Sequence, residues 1–136
     1  MEWFLWSTVE MAIYGVGIDL VRVERLNKSF VRWGERFTKR VFTSAEVAAC
    51  AGRKKQVDCL ATRFAAKEAF VKALGRGMRL PVSWTDIEVQ NDDLGKPEIC
   101  LSSRALKFCQ DLGIRSWHLS LTDDGEYGAA VVILET

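Results

Sequence analysis

The stretch from Asp58 to Gly75, DCLATRFAAKEAFVKALG, decides the fold. Leu60, Phe64, Val71 and Leu74 recur at helical intervals, Asp58 can cap the start, and Gly75 marks an end. Together they predict a helix over Cys59 to Leu74. At about 100° per residue, Glu68 falls at the edge of the apolar stripe, and Lys72, one turn on, points further toward solvent. Read by themselves, these two form a surface pair contributing about 0.3–0.5 kcal/mol.

Upstream, Arg53-Lys54-Lys55 reads as an exposed connection, and before it Thr43-Ser44-Ala45-Glu46 has the form that caps a helix start reciprocally. A short helix through Val47 to Gly52 follows. Val23, Leu26, Phe30 and Trp33 set a helical stripe within Val21 to Trp33, with Arg22, Arg25, Lys28 and Arg32 on the other sides and Gly34 as a stop. Ile13 to Leu20 alternates instead. Tyr14, Val16, Ile18 and Leu20 share one face, while Gly15, Gly17 and Asp19 share the other, so one face of this strand is nearly bare and leaves room for a close approach to its backbone.

Downstream, Asp86 to Val89 and Glu98 to Leu101 alternate on either side of a turn through Asn91 to Gly95, which predicts a hairpin. Ser102 to Leu112 is amphipathic and closed by Gly113. Two strands, Arg115 to Thr122 and Glu126 to Leu134, flank the turn at Asp123-Asp124-Gly125. On the first of these, Trp117, Leu119 and Leu121 oppose Ser116, His118, Ser120 and Thr122, which places the sole histidine on a polar face. Local hairpins and separate helices point to an α+β fold.

Composition narrows the function. A chain of 136 residues, 49% hydrophobic, is long enough for one compact domain, and the expected organisation is an N-terminal extension over residues 1–12 followed by a single domain over 13–136. A net charge of +1 argues against bulk attraction to nucleic acid or membrane, so neither is expected as a partner. The charges are uneven, however: Val21 to Arg40 and Arg53 to Arg79 are basic, whereas Leu80 to Thr136 is acidic. Cys50, Cys59, Cys100 and Cys109 have no zinc-site spacing and, with no secretory leader in view, are expected as free thiols in a reducing cytoplasm.

Known nucleotide motifs fail. Gly15-Val16-Gly17-Ile18-Asp19-Leu20 has leucine where a dinucleotide fingerprint needs its third glycine, and there is no P-loop. What remains is a strand carboxylate, a helix carboxylate and basic groups, a set suited to a hard cation such as magnesium holding phosphate oxygens.

Two runs, Gly15-Val16-Gly17-Ile18-Asp19-Leu20-Val21 and Arg63-Phe64-Ala65-Ala66-Lys67-Glu68-Ala69-Phe70-Val71-Lys72-Ala73-Leu74-Gly75, resemble the holo-acyl-carrier-protein synthases, the short trimeric type of 4′-phosphopantetheinyl transferase. Asp86-Ile87-Glu88-Val89, Gly95-Lys96-Pro97 and His118-Leu119-Ser120-Leu121 support the likeness in order and spacing, which covers Ile13 to Glu135. The resemblance implies a small antiparallel sheet packed with a long central helix. It also implies transfer of 4′-phosphopantetheine from coenzyme A to a serine of apo-acyl carrier protein, releasing adenosine 3′,5′-bisphosphate, in the service of fatty acid biosynthesis.

By that resemblance Asp19 and Glu68 hold Mg²⁺, and Glu68 and Lys72 act in catalysis. Arg63, Lys67, Gly95, Lys96, Pro97, His118 and Ser120 lie by coenzyme A. Arg22, Arg25, Lys28 and Arg32 dock the acidic carrier. The base that takes the serine proton stays open among Glu68, a water and another group. The family's homotrimer would place each site between subunits. Asp123 departs from the pattern, since many relatives carry a second histidine there. Two other readings use parts of the same residues: a magnesium-dependent phosphodiesterase needing no acceptor protein, and a non-catalytic binder of an acidic partner.

Overall fold

The computed structural model describes residues 11–136, so most of the expected N-terminal extension lies outside the described residues. Five strands and five α-helices follow one another as β1 (Ile13–Arg22), α1 (Val23–Trp33), α2 (Glu35–Val41), α3 (Ser44–Ala51), α4 (Gln56–Leu74), β2 (Ile87–Asn91), β3 (Pro97–Leu101), α5 (Ser103–Asp111), β4 (Ser116–Asp123) and β5 (Tyr127–Glu135), with a 3₁₀ turn at Trp84–Asp86. The architecture is α+β. An antiparallel sheet in the order β1-β5-β4 packs on α4, and β2 and β3 form a separate antiparallel hairpin.

Helix α4 starts at Gln56, three residues before the Cys59 start that the sequence pattern gives with Asp58 as cap, and the difference has a cause. Lys55 is the N-cap without a side-chain bond, and Asp58 lies inside the first turn, where its charge suits the positive end of the helix. Gly75 ends the helix in the left-handed conformation, φ 77°, as the pattern predicts. The helix is buried on most sides rather than along one stripe, since Ala61, Ala65, Ala66, Ala69, Phe70 and Val71 are all enclosed.

What approaches the bare face of β1 is α4 itself. A Cβ added at Gly15 would lie 1.9 Å from the carbonyl oxygen of Ala73, and one at Gly17 would lie 1.8 Å from that of Ala69. Glycine on the strand and alanine on the helix thus let two backbones touch. The price is an apolar face turned outward: Val16, Ile18 and Leu20 are 57%, 68% and 65% exposed.

A core of Phe70, Val71, Ile87, Ile114, Val132 and Leu134 lies between α4, the sheet, the hairpin and α5. A second, around Leu26, Val41, Phe42 and Leu60, joins α1, α2, α3 and the first half of α4. Helix α2 is an element that the sequence pattern does not predict, because seven residues give too few turns for a periodic stripe. The reading of Val21 and Arg22 as helical is also corrected: they continue β1, paired with Gly128 and Tyr127. Thr43 and Glu46 form the predicted capping box on α3.

The expectation of four free thiols is overturned in part. The end of α3 meets the start of α4, and Cys50 and Cys59 are joined there as a disulfide with Cα atoms 5.7 Å apart, leaving Cys100 and Cys109 free. Among the described residues, no helix is long and apolar enough to cross a membrane.

Candidate active site

Asp19 stands on the inner face of β1, opposite α4, because strand alternation puts it on the same side as Gly15 and Gly17. Helix α4 answers with Lys72, whose ammonium donates to Asp19 Oδ1 at 2.9 Å and to the Ile18 carbonyl at 3.0 Å. Asp19 Oδ2 is shielded from water and has no hydrogen-bond partner among the described residues. Such an oxygen is costly to leave unmatched.

Glu68, one turn before Lys72, belongs to the same cluster. Burial pushes its carboxyl above the ordinary range and the charge of Asp19 adds to this, while Lys72 and Arg25 pull the other way. Two carboxylates within reach of each other's charge, with one oxygen of Asp19 unmatched, leave the site able to take a further cation. No group of three or more His, Cys, Asp or Glu gathers among the described residues, but a magnesium ion commonly takes only one or two carboxylates and completes its shell with water and phosphate oxygens. The donor set fits that ion.

Arg25, expected at a docking surface, is thus also close enough to Glu68 to stabilise its charged form. Sequence reasoning missed this, although its place just after the strand–helix junction was the signal. Beside it, a cavity of about 320 Å³ is lined by Leu26, Phe37, Val41, Phe64 and Trp84, the last two stacked with ring centroids 4.9 Å apart, and Arg25 and Arg40 also reach it. Among the other docking candidates, Arg22 donates to the Tyr127 hydroxyl at 2.9 Å, Lys28 pairs with Glu24 at 3.6 Å, and Arg32 stacks on Trp33.

Lys67 requires a correction. Far from facing coenzyme A, it is fully buried, and its ammonium donates to the Val41 carbonyl at 2.7 Å, the Trp84 carbonyl at 3.0 Å and Glu46 Oε1 at 2.5 Å. Three donors are thereby spent inside the protein. Glu46 in turn accepts the amides of Thr43 and Val89. The residue is a strut, and burial lowers its proton affinity while Glu46 raises it.

Arg63 is 4% exposed, with Nη1 donating to the Cys59 carbonyl at 3.1 Å and its Sγ at 3.2 Å. His118 and Ser120 register with Ile133 and Val131 on the outer face of the sheet, whereas Asp19 registers with buried Ala130. They therefore lie on the side of the sheet opposite Asp19. His118 Nε2 bonds Glu135 at 2.7 Å. Gly95, Lys96 and Pro97 form the hairpin end, where Asp92 Oδ1 accepts the Lys96 amide at 2.8 Å, and no hydrogen bond among the described residues links them to Asp19 or Glu68.

This arrangement has known counterparts. Residues 15–132 match the model of the 4′-phosphopantetheinyl transferase superfamily. The chain is 49% identical over 123 residues to a holo-[acyl-carrier-protein] synthase of Trichlorobacter lovleyi, covering 90% of this chain and 98% of that protein. Its fold superposes on the holo-[acyl-carrier-protein] synthase of Neisseria meningitidis with a TM-score of 0.87 at 38% identity, covering 92% of this chain and all (100%) of that one. A holo-(acyl-carrier-protein) synthase from Bacillus anthracis in complex with CoA (3′,5′-ADP) superposes with a TM-score of 0.76 at 36% identity, covering 91% and 97%. Two carboxylates brought together by a glycine-faced strand and an alanine-rich helix are thus set in a shared fold, and the chain belongs to the 4′-phosphopantetheinyl transferase superfamily.

Proposed function

We propose that this chain transfers the 4′-phosphopantetheine group of coenzyme A to a serine hydroxyl of an apo-acyl carrier protein, yielding the holo-carrier and adenosine 3′,5′-bisphosphate. The observation that carries the site assignment is the unmatched Asp19 Oδ2 beside Glu68. Asp19 and Glu68 would hold Mg²⁺, which supplies charge neutralisation of the pyrophosphate when bound.

The serine oxygen attacks the β-phosphorus, and the bond from that phosphorus to the bridging oxygen breaks, leaving the electron pair on the departing adenosine bisphosphate. Asp19 and Glu68, which would repel a pyrophosphate directly, would serve this in-line displacement by holding the ion whose charge offsets that repulsion. The serine proton has Glu68, a water or another group near the two carboxylates as its acceptor. Lys72, half exposed on its way to Asp19, can offer its remaining donor to the charge gathering on the leaving phosphate.

Arg22 at the end of β1, the basic residues Arg25, Lys28 and Arg32 of α1 and the apolar cavity beside them suit an acidic carrier, the charges giving the attraction. The position of His118 and Ser120 across the sheet from Asp19 favours a site completed by a second copy. The exposed apolar face of β1 supports a homotrimer, in which a neighbour's His118, Ser120 and Gly95-Lys96-Pro97 would reach the coenzyme A held by this chain's Asp19, Glu68 and Arg63. Cytoplasmic fatty acid biosynthesis is the setting that this reading gives it.

Mass spectrometry of apo-acyl carrier protein incubated with coenzyme A, with and without Mg²⁺, tests the proposal. Gain of the phosphopantetheine mass only with enzyme and metal is the expected result; hydrolysis of coenzyme A without labelling would overturn it. Light scattering should report three chains per particle.

A further inference from the structure

Lys67 and Glu46 lie behind the apolar cavity rather than in its lining. Two of the three acceptors of the Lys67 ammonium nevertheless belong to cavity walls: the carbonyls of Val41, at the end of α2, and of Trp84, at the start of the 3₁₀ turn. No backbone hydrogen bond among the described residues joins α2 to that turn. The ammonium also stands over the ring of Phe42, 5.3 Å from its centroid, and Phe42 packs edge-on against Phe37, a third wall residue. Trp84 is held twice by α4, through its carbonyl by Lys67 and through its ring by Phe64 one turn earlier.

An enclosed ion pair is often no more stabilising than apolar side chains of the same volume. What it adds is direction. A methionine in place of Lys67 would fill the space, but it would leave the Val41 and Trp84 carbonyls without a common donor. Glu46 fixes where that donor sits, because its own oxygens are held by the amides of Thr43 and Val89. Neither Asp19 nor Glu68 shares a hydrogen bond with this network among the described residues.

We propose that Lys67 is a positioning residue for carrier docking: through the Val41 and Trp84 carbonyls it sets the width of the cavity flanked by Arg25 and Arg40, and thereby the affinity for the carrier. It acts through the walls and touches neither the carrier nor the reacting atoms. Turnover of the bound carrier is left to Asp19, Glu68 and Lys72. Naming the occupant as an acidic carrier protein rests on the proposed function; the hold on the cavity walls does not.

The test follows labelling of apo-carrier by coenzyme A with the full chain, as a function of carrier concentration. Lys67→Met combined with Glu46→Leu, which removes both charges together, should raise the KM for carrier about tenfold, the scale of one good interface contact. The kcat and the KM for coenzyme A should stay within about twofold. Glu46→Gln weakens the pair but leaves Lys67 its two carbonyls, so it should lose stability in urea and keep the wild-type KM for carrier. In heteronuclear NMR the indole N–H resonance of Trp84 should shift in the double variant and hold in Glu46→Gln. That of Trp117, which donates to the Ile99 carbonyl in the other core, should hold in both.

A wild-type KM for carrier in the folded double variant, a fall in kcat that matches the rise in KM, or a KM that tracks stability across the variants would overturn the proposal. If the double variant does not fold, Glu46→Gln decides: lowered stability with an unchanged KM upholds the proposal, and a raised KM overturns it. If the wild type labelled no carrier while the Trp84 resonance still moved in the double variant, the transferase reading would fall and the hold of Lys67 on the cavity would stand.

Discussion

Helix α4 makes two lysine–carboxylate contacts from residues five positions apart in sequence, and they are built to opposite rules. Lys67 meets Glu46 in full enclosure, and every donor and both carboxylate oxygens have partners. Lys72 meets Asp19 at the margin of the fold, half exposed, with a second carboxylate alongside and one oxygen unmatched. The first contact is complete without any ligand. The second is complete only when positive charge arrives. A buried charge held for structure is saturated, whereas one held for chemistry is left short.

Breaking the saturated pair should have the largest effect. Lys67→Met leaves Glu46 charged and enclosed, so urea unfolding should show a loss of about 3–5 kcal/mol, and adding Glu46→Leu should recover part of it by removing the stranded charge. At the other contact, Asp19→Ala should leave stability nearly intact but slow carrier labelling by about 10³-fold, or about 4 kcal/mol of barrier. A variant of Asp19 that unfolded as Lys67→Met does would erase the distinction.

Metal should act on one contact alone. At about 100 times its dissociation constant, Mg²⁺ should stabilise the wild type by about 2.7 kcal/mol and leave Asp19→Ala unmoved in thermal melts. The smallest expected effect is on the pH profile of the metal-free protein. Because the Glu68 carboxyl is raised in the fold, the folded chain binds that proton more tightly than the unfolded chain; this contribution favours folding at low pH and is lost as pH rises from the ordinary glutamate range through the raised value. Glu68→Gln should flatten that slope. Asp86 has the opposite sign: its burial cost is outweighed by hydrogen bonds from Arg104, Ser102 and Ser83, which hold it well below the usual carboxylate range, so its stabilisation is present above that range and fades in acid.

Much of this was legible in the sequence because it was local. Alternation in β1, the capping box at Thr43 and Glu46, and the glycine stop at Gly75 all depend on neighbours within a few residues. Glu46 shows where that legibility ends. Its role as a cap follows from the motif, but its second role, holding Lys67 and the Val89 amide, joins residues 21 and 43 positions away. The same reason hides the burial of Lys67, which sits in a run whose resemblance pointed to ligand contact. The disulfide was missed because a spacing of nine residues says nothing until two helix ends are known to meet.

The contact between β1 and α4 makes backbone separation a setting of the catalytic geometry. Gly17 lies two residues from Asp19, and Ala69 one from Glu68, so the place where strand and helix touch is also the point from which the two carboxylates are measured. A methyl group at Gly17 cannot be absorbed by a turning side chain, because what it meets is a carbonyl oxygen at 1.8 Å. The strand must move away, and the acid it carries moves with it. A displacement of about 1 Å is enough to cost about 10²-fold in a reaction that depends on alignment. The two glycines are therefore a spacer made of nothing, and their tolerance is that of a machined gap.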